Sequence, residues 1–200
     1  HFVDRVEKAG FEVDYVTPNG GYTPIDPHSL TLAEPIDWAW YHNRDFMNRL
    51  GATLKPDQIN AEDYVAIYFV GGHGVLWDFP DNTAFQQLTR AIYESGGYVS
   101  AVCHGTVDLL NVTLSDGTLL IKDKQITCFS NEEERQAGLD QQVPYLPEDE
   151  VVKRGARFVK AVQPWASFAV EDQRVITGQN PASGAAVAEM LIQAIKNQKP

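Results

Sequence analysis

The sequence is poor in cysteine, in basic residues and in long apolar runs, and each shortage excludes a class of protein. Only 2 of the 200 residues are cysteine, too few for a disulfide-rich scaffold and without the spacing of a zinc site. Lysine and arginine number 16 against 27 aspartate and glutamate residues, which gives a formal net charge of −11. Nucleic acids and anionic membranes attract basic surfaces, so we expect neither as a partner. No apolar run approaches the roughly 20 residues of a membrane span.

Apolar segments alternate with helical patterns along most of the chain. Strands that are apolar on both faces and alternate with helices predict an α/β fold with a mainly parallel sheet covered on both sides. The predicted elements are strands over 64–70, 98–102 and 125–130, a hairpin over 168–177, and helices over 36–50 and 182–197.

The first third of the chain has fewer strand signals. Residues 11–17 alternate apolar and polar side chains, which predicts one strand. The region from 18 to about 60 has no strand pattern, so we expect a connection and a small cap there. We interpret residues 1–200 as a single domain with this cap as an insertion.

The stretch "YVSAVCHGTVDLL" places Cys103 between a buried strand and a helical segment. A tight strand-to-helix turn lifts a nucleophile above the edge of a sheet, and Gly105 relieves crowding in such a turn. A thiolate at a helix N-terminus has a depressed pKa. We therefore predict a partly exposed nucleophile at Cys103, with the backbone N–H groups of His104 and Gly72 as oxyanion donors.

A third residue has to orient His104 if that histidine acts as a base. Glu132, just after the strand over 125–130, is the first candidate, and Glu133 or Glu134 comes next. Ser130 and Glu133 have the spacing of a capping box. His73, Trp77 and Trp165 are predicted to line the pocket, although His73 between glycines also suits a simple turn.

Four motifs in order make the chain similar to the ThiJ/PfpI superfamily, and specifically to its heat-shock chaperone and glyoxalase III branch. They are "VGGHGVLWDFP", "AVCHG", "CFSNEEE" and "ITGQNPAS". The resemblance implies a flavodoxin-like three-layer sandwich, usually a homodimer, with Cys103 as nucleophile, His104 beside it and Glu132 orienting the histidine. It also implies a glutathione-independent glyoxalase of the lyase class, which converts methylglyoxal to lactate in carbonyl-stress defence without a cofactor or a metal.

The family carries a thiol-activating glutamate at the end of its first strand, and that position would precede His1. We therefore expect a first strand with this glutamate upstream of the residues given. A flavodoxin-like sheet places its first strand in the interior, between the second and third strands.

Other functions remain open on the sequence. A holding chaperone for unfolded proteins or a redox sensor would use the same cysteine, and related proteins carry peptidase and amidase names. With so few cysteines we expect a reducing, cytoplasmic location, which keeps the thiol available.

Overall fold

The computed structural model describes residues 1–198, which contain six β-strands. In chain order they are β1 (Ala66–Phe69), β2 (Tyr98–Val102), β3 (Gln125–Ile126), β4 (Arg157–Phe158), β5 (Ala169–Asp172) and β6 (Val175–Gly178). The main sheet has the order β1-β2-β6-β5, in which β1, β2 and β6 are parallel and β5 is antiparallel to β6. β3 and β4 form a separate parallel pair.

The α-helices of the described residues surround this sheet. They are α1 (Phe2–Lys8), α2 (Pro27–Thr31), α3 (Pro35–Tyr41), α4 (Arg44–Gly51), α5 (Val75–Asp78), α6 (Thr83–Glu94), α7 (Asn131–Ala137), α8 (Pro147–Lys153) and α9 (Gly184–Asn197). Short 3-10 helices cover Pro56–Gln58, Ala61–Asp63, Cys103–Leu109 and Pro181–Ser183. Within residues 1–198, no helix combines the length and the apolarity needed to cross a bilayer.

Side chains of β2 point alternately to the two faces of the sheet, as the pleat requires. Tyr98 packs in a cluster with α1 and α9, whereas Val99 and Ala101 belong to a second cluster that includes Phe85 of α6 and Leu109. Both faces are therefore covered by helices, which confirms the predicted three-layer α/β sandwich.

Three of the predicted elements differ from the structure. The strand expected over 125–130 is confined to Gln125–Ile126, which pairs with β4 outside the main sheet. It ends there because the N–H of Thr127 donates to the hydroxyl of Thr177 and not to a neighbouring strand. The helix expected over 36–50 is two helices, because Asn43 caps α4 by accepting a hydrogen bond from the N–H of Phe46. The strand expected over 11–17 is wrong: of these seven residues only Val16 forms a bridge, to Leu54. A strand needs a neighbour, and the only ladder partner of β1 among residues 1–198 is β2. The first strand that the family resemblance implies, which would lie between residues 11–17 and β1, stays a prediction.

The end of β1 and the start of the Cys103–Leu109 helix approach each other so closely that only glycine fits at position 105. A Cβ atom there would lie 2.5 Å from the carbonyl oxygen of Val70 and 2.6 Å from that of Phe69. These oxygens belong to the backbone and cannot rotate away. The glycine therefore fixes how near Cys103 lies to the end of the neighbouring strand.

We predict that Gly105→Ala destabilises the protein by about 1–3 kcal/mol, the usual cost of overpacking. Gly51→Ala is the matched control, because a Cβ atom at Gly51 meets no atom within 4 Å. Urea unfolding of both variants measures the difference. Equal stability of the two variants would contradict the close contact at Gly105.

Candidate active site

Cys103 occupies a strained turn at the end of β2. Its φ angle is +58°, in the left-handed region that non-glycine residues rarely adopt. Such a conformation costs on the order of 1–3 kcal/mol and persists only where the surroundings enforce it. The residue directly follows β2 and is the first residue of the 3-10 helix Cys103–Leu109, where the sequence predicted a strand-to-helix junction.

The thiol of Cys103 differs from the sequence prediction in exposure and in ionisation. Cys103 is only 5% exposed, so the expected partial exposure is wrong. Burial raises the pKa of Cys103 to about 12, although the backbone N–H groups of His104 and Gly72 act in the opposite direction. The expected depression of the pKa does not occur because desolvation of the thiolate outweighs these two hydrogen bonds. At neutral pH the resting side chain is a thiol and needs a base.

The base within reach of this thiol is the neighbouring imidazole. The Nδ1 atom of His104 lies 3.2 Å from the Sγ atom of Cys103, and the ring is 1% exposed. Burial lowers the pKa of His104, and the hydrogen bond from the ring to a carboxylate opposes this change. The ring is therefore neutral in the resting protein and able to accept the proton of the thiol.

That carboxylate belongs to Glu134. The prediction that Glu132 orients His104 is wrong, because Glu132 does not contact the ring. The Nε2 atom of His104 lies 2.6 Å from Oε2 of Glu134, whose side chain is fully buried. Glu132 instead lies at the surface, 3.6 Å from the ammonium group of Lys160. The structure thus assembles Cys103, His104 and Glu134 into one hydrogen-bonded chain.

A sequence signal for Glu134 exists in the start of α7. Ser130 is the N-cap, and its capping box with Glu133 is present as predicted. In such a helix the fourth helical residue lies toward the residue before the cap, and a staple forms where both are apolar. Here the fourth residue is Glu134, which is not apolar, and the residue before the cap is Phe129, whose ring centroid lies 4.4 Å from that of His104. The helix start therefore turns Glu134, and not Glu132, toward the histidine.

Glu133, also fully buried, holds the loop that carries Trp165. Its carboxylate accepts hydrogen bonds from the backbone N–H of Trp165 at 2.8 Å and from the side-chain amides of Gln179 and Asn180. The Trp165 ring then lies 5.5 Å from Phe129, which packs with Cys103. Trp165 thus lies beside the site, next to an aromatic ring of the buried cluster that contains Cys103.

His73 joins the same network from the turn after β1. Its Nε2 atom lies 2.7 Å from Oε1 of Glu134, and its ring centroid is 4.0 Å from that of His104. Gly72, the preceding residue, directs its N–H at the thiol. Trp77 follows on α5 and is 63% exposed, so its place in a pocket stays a prediction. Cys128 is fully buried, as expected for a core residue.

Side chains of metal-binding types come together at one place among residues 1–198. Atoms of His73, His104 and Glu134 lie within 4.8 Å of one another. Around a tetrahedral zinc ion, however, ligand atoms are separated by ~3.3 Å, given bonds of about 2.0–2.1 Å. The contacts of 2.6 and 2.7 Å in this cluster are those of charge-assisted hydrogen bonds. The arrangement is that of a proton-sharing network.

Comparison with known proteins places this chain in a family. The model of the DJ-1/PfpI family matches residues 2–194. The chain belongs to the DJ-1/PfpI family. This confirms the resemblance to the ThiJ/PfpI proteins that the four sequence motifs indicate.

Two yeast proteins are among the similar family members. The glutathione-independent glyoxalase HSP31 of Saccharomyces cerevisiae is 35% identical over 98% of this chain and 86% of its own length. Glyoxalase 3 of Candida albicans is 34% identical, with the same coverage of 98% and 86%.

Solved structures of the family have the same fold. The crystal structure of glyoxalase III from Candida albicans aligns with a TM-score of 0.88 and 30% identity, over 96% of this chain and 84% of that one. The 24 kDa rapid encystment protein of Francisella tularensis aligns with a TM-score of 0.89 and 32% identity, over 97% and 89% of the two chains.

We predict that Glu134 makes stability depend on acid pH. Its hydrogen bonds with His104 and His73 oppose the effect of burial and bring its pKa to about 2, from 4.5 in an unperturbed side chain. Because the folded-state pKa is the lower one, the stabilisation is present above about pH 4.5 and is lost as the pH falls toward 2. The difference corresponds to roughly 3 kcal/mol.

Urea unfolding between neutral and acid pH tests this dependence. Glu134→Gln should lose stability at neutral pH and lose less than the parent protein on acidification. Glu132→Gln is the control, because a surface ion pair contributes only ~0–1 kcal/mol. Equal pH dependence of the two variants would contradict the assignment of the buried charge to Glu134.

Proposed function

We propose that this protein is a glutathione-independent glyoxalase, which converts 2-oxoaldehydes such as methylglyoxal into 2-hydroxy acids such as lactate. The observation that carries the proposal is the hydrogen-bonded chain from the Cys103 thiol through His104 to the buried carboxylate of Glu134. Family members at 34–35% identity are named glyoxalases, which supports the same activity here.

The network prepares the thiol for addition to an aldehyde. As Sγ of Cys103 attacks the aldehyde carbon, its proton passes to Nδ1 of His104, and the anionic Glu134 stabilises the imidazolium that forms. A base at 3.2 Å lets a thiol with a pKa of about 12 react at neutral pH, because deprotonation accompanies bond formation.

The backbone N–H groups near the sulfur suit the next species. Attack turns the aldehyde oxygen into an oxyanion, and the N–H groups of Gly72 and His104 flank the sulfur to which that carbon becomes bonded. Donors fixed by the backbone stabilise such charge without reorganising during the reaction. The proton held by His104 then completes the hemithioacetal.

The remaining chemistry is internal to the substrate. The hemithioacetal loses a proton from its first carbon and becomes an enediolate. Return of that proton to the second carbon, with transfer of the hydroxyl proton from the first oxygen to the second, leaves a thioester on Cys103. Water then cleaves the thioester to the hydroxy acid and the free thiol. The first carbon is oxidised as the second is reduced, so the sequence balances without an external oxidant or reductant. Independence of any cofactor or metal belongs to this proposal.

Burial of Cys103 disfavours two of the alternative functions. Peroxide sensors rely on an accessible, low-pKa thiolate, whereas this thiol is 5% exposed and has a raised pKa. A peptidase must bring an extended chain to its nucleophile, and a sulfur this buried admits a two- or three-carbon aldehyde more readily. An activity assay distinguishes the chaperone alternative from the glyoxalase. A protein that binds unfolded clients but forms no lactate from methylglyoxal would favour the chaperone.

Finer features belong to the same proposal. They include a cytoplasmic location and a homodimer.

We predict that Cys103→Ala abolishes glutathione-free formation of lactate from methylglyoxal by the full-length protein. Loss of a covalent nucleophile removes the route through the hemithioacetal. Cys128→Ala is the matched control, since this second cysteine is also fully buried but lies outside the network, and it should keep its turnover. Lactate formation by the Cys103→Ala variant at the parent rate would refute the proposed mechanism.

A further inference from the structure

Two histidines share one buried carboxylate in this site, and the proposed mechanism uses only one of them. Nε2 of His104 contacts one oxygen of Glu134 at 2.6 Å, and Nε2 of His73 contacts the other at 2.7 Å. Among residues 1–198 this is the only side-chain hydrogen bond of the His73 ring. The position of His73 therefore calls for a role of its own.

The shared carboxylate fixes the protonation of both rings. Glu134 has a pKa of about 2 and is anionic at neutral pH, so its oxygens only accept hydrogen bonds. Each neutral imidazole must then carry its proton on Nε2, which leaves Nδ1 as a base. In His104 that Nδ1 faces the thiol at 3.2 Å. In His73 it makes no side-chain hydrogen bond within the described residues.

The two rings also differ in access. The side chain of His73 is 34% exposed, whereas that of His104 is 1% exposed. A small substrate bonded to Cys103 can therefore contact the His73 ring directly. The buried His104 ring, by contrast, exchanges its proton with the sulfur of Cys103. The preceding residue, Gly72, directs its N–H at the same sulfur, which places the His73 backbone next to the bound substrate.

Electrostatics limit the pair to one positive charge. The ring centroids are 4.0 Å apart and one carboxylate lies between the Nε2 atoms. The titratable groups in contact with the His73 ring, among the described residues, are Glu134 of α7 and His104 of the turn after β2. A second imidazolium would repel the first: burial is the main cause that lowers the pKa of His104, and the nearby His73 lowers it further. Once His104 has returned its proton to the substrate, His73 is free to accept one.

We propose that His73 is a second catalytic acid–base residue, which carries a proton between the two oxygens of the enediolate. This inference rests on the proposed glyoxalase activity. As the second carbon is protonated and the thioester carbonyl forms, Nδ1 of His73 takes the proton from the hydroxyl on the first carbon, and that O–H electron pair becomes part of the new C=O bond. Nδ1 then gives the proton to the anionic oxygen on the second carbon, so no proton is gained or lost. Glu134 stabilises the transient imidazolium.

The decisive variant is His73→Gln in the full-length protein. Glutamine keeps an N–H donor for Glu134 but cannot take up a proton. We expect kcat for lactate formation to fall by about 10²-fold or more, the usual worth of a positioned acid–base group. The rate at which iodoacetamide alkylates Cys103 should stay unchanged, because the Cys103, His104 and Glu134 chain remains in place.

Two further measurements separate catalysis from positioning. The pH profile of kcat should lose the limb of one imidazole in His73→Gln, which a purely structural residue would not cause. His28→Gln is the surface control and should keep the turnover and pH profile of the parent protein, since His28 lies on the exposed face of the short helix α2.

The outcomes are distinguishable. Parent turnover in His73→Gln would overturn the role of His73 and leave the glyoxalase proposal standing. Equal losses in turnover and in alkylation rate would also overturn it, because His73 would then act only through the thiol. A parent protein that forms no lactate, with or without the His73 substitution, would overturn the proposed function and this inference together.

Discussion

The fully buried carboxylate of Glu134 is the constraint on which the site depends. An ionised group without water has to be compensated by hydrogen bonds or by opposite charge. Here the N–H groups of His104 and His73 supply that compensation, one to each oxygen. The carboxylate in return fixes which nitrogen of each ring is protonated. The direction in which protons can move follows from this one interaction.

Backbone proximity brings the parts of the site to that carboxylate. β1 and β2 are adjacent and parallel, so the turns after them meet at one edge of the sheet. A Cβ atom at Gly71 would lie 2.8 Å from that of Cys103, and Gly105 tolerates no Cβ atom at all. These two glycines let the turn that carries His73 approach the turn that carries Cys103. The strained φ angle of Cys103 is maintained by the same tight packing.

Two adjacent glutamates of α7 have different roles: one binds the histidines of the site and the other holds the surrounding loops. Glu134 binds the two histidines, while Glu133 binds its own N-cap and the loop of Trp165. Both side chains are fully buried, and Glu132 beside them is at the surface. A three-residue acidic run thus contains three environments, because successive residues of a helix point about 100° apart.

The amino-acid sequence by itself determined the class of the fold and the place of Cys103 at a strand-to-helix junction. The apolar strand over 98–102, the hairpin over 168–177 and the cysteine before a glycine are local patterns, and local geometry explains them. The capping box of Ser130 and Glu133 is equally local and is present as predicted.

Only the tertiary structure decided the partner of His104, the exposure of Cys103 and the absence of a strand over 11–17. Each depends on elements distant in sequence: α7 against the turn after β2, the packing of Phe129 over the thiol, and the missing neighbour of β1 among the described residues. Burial also reversed the expected direction of the pKa of Cys103. A local sequence pattern specifies the hydrogen bonds offered to a thiolate, whereas the loss of water around it is a property of the whole packed site.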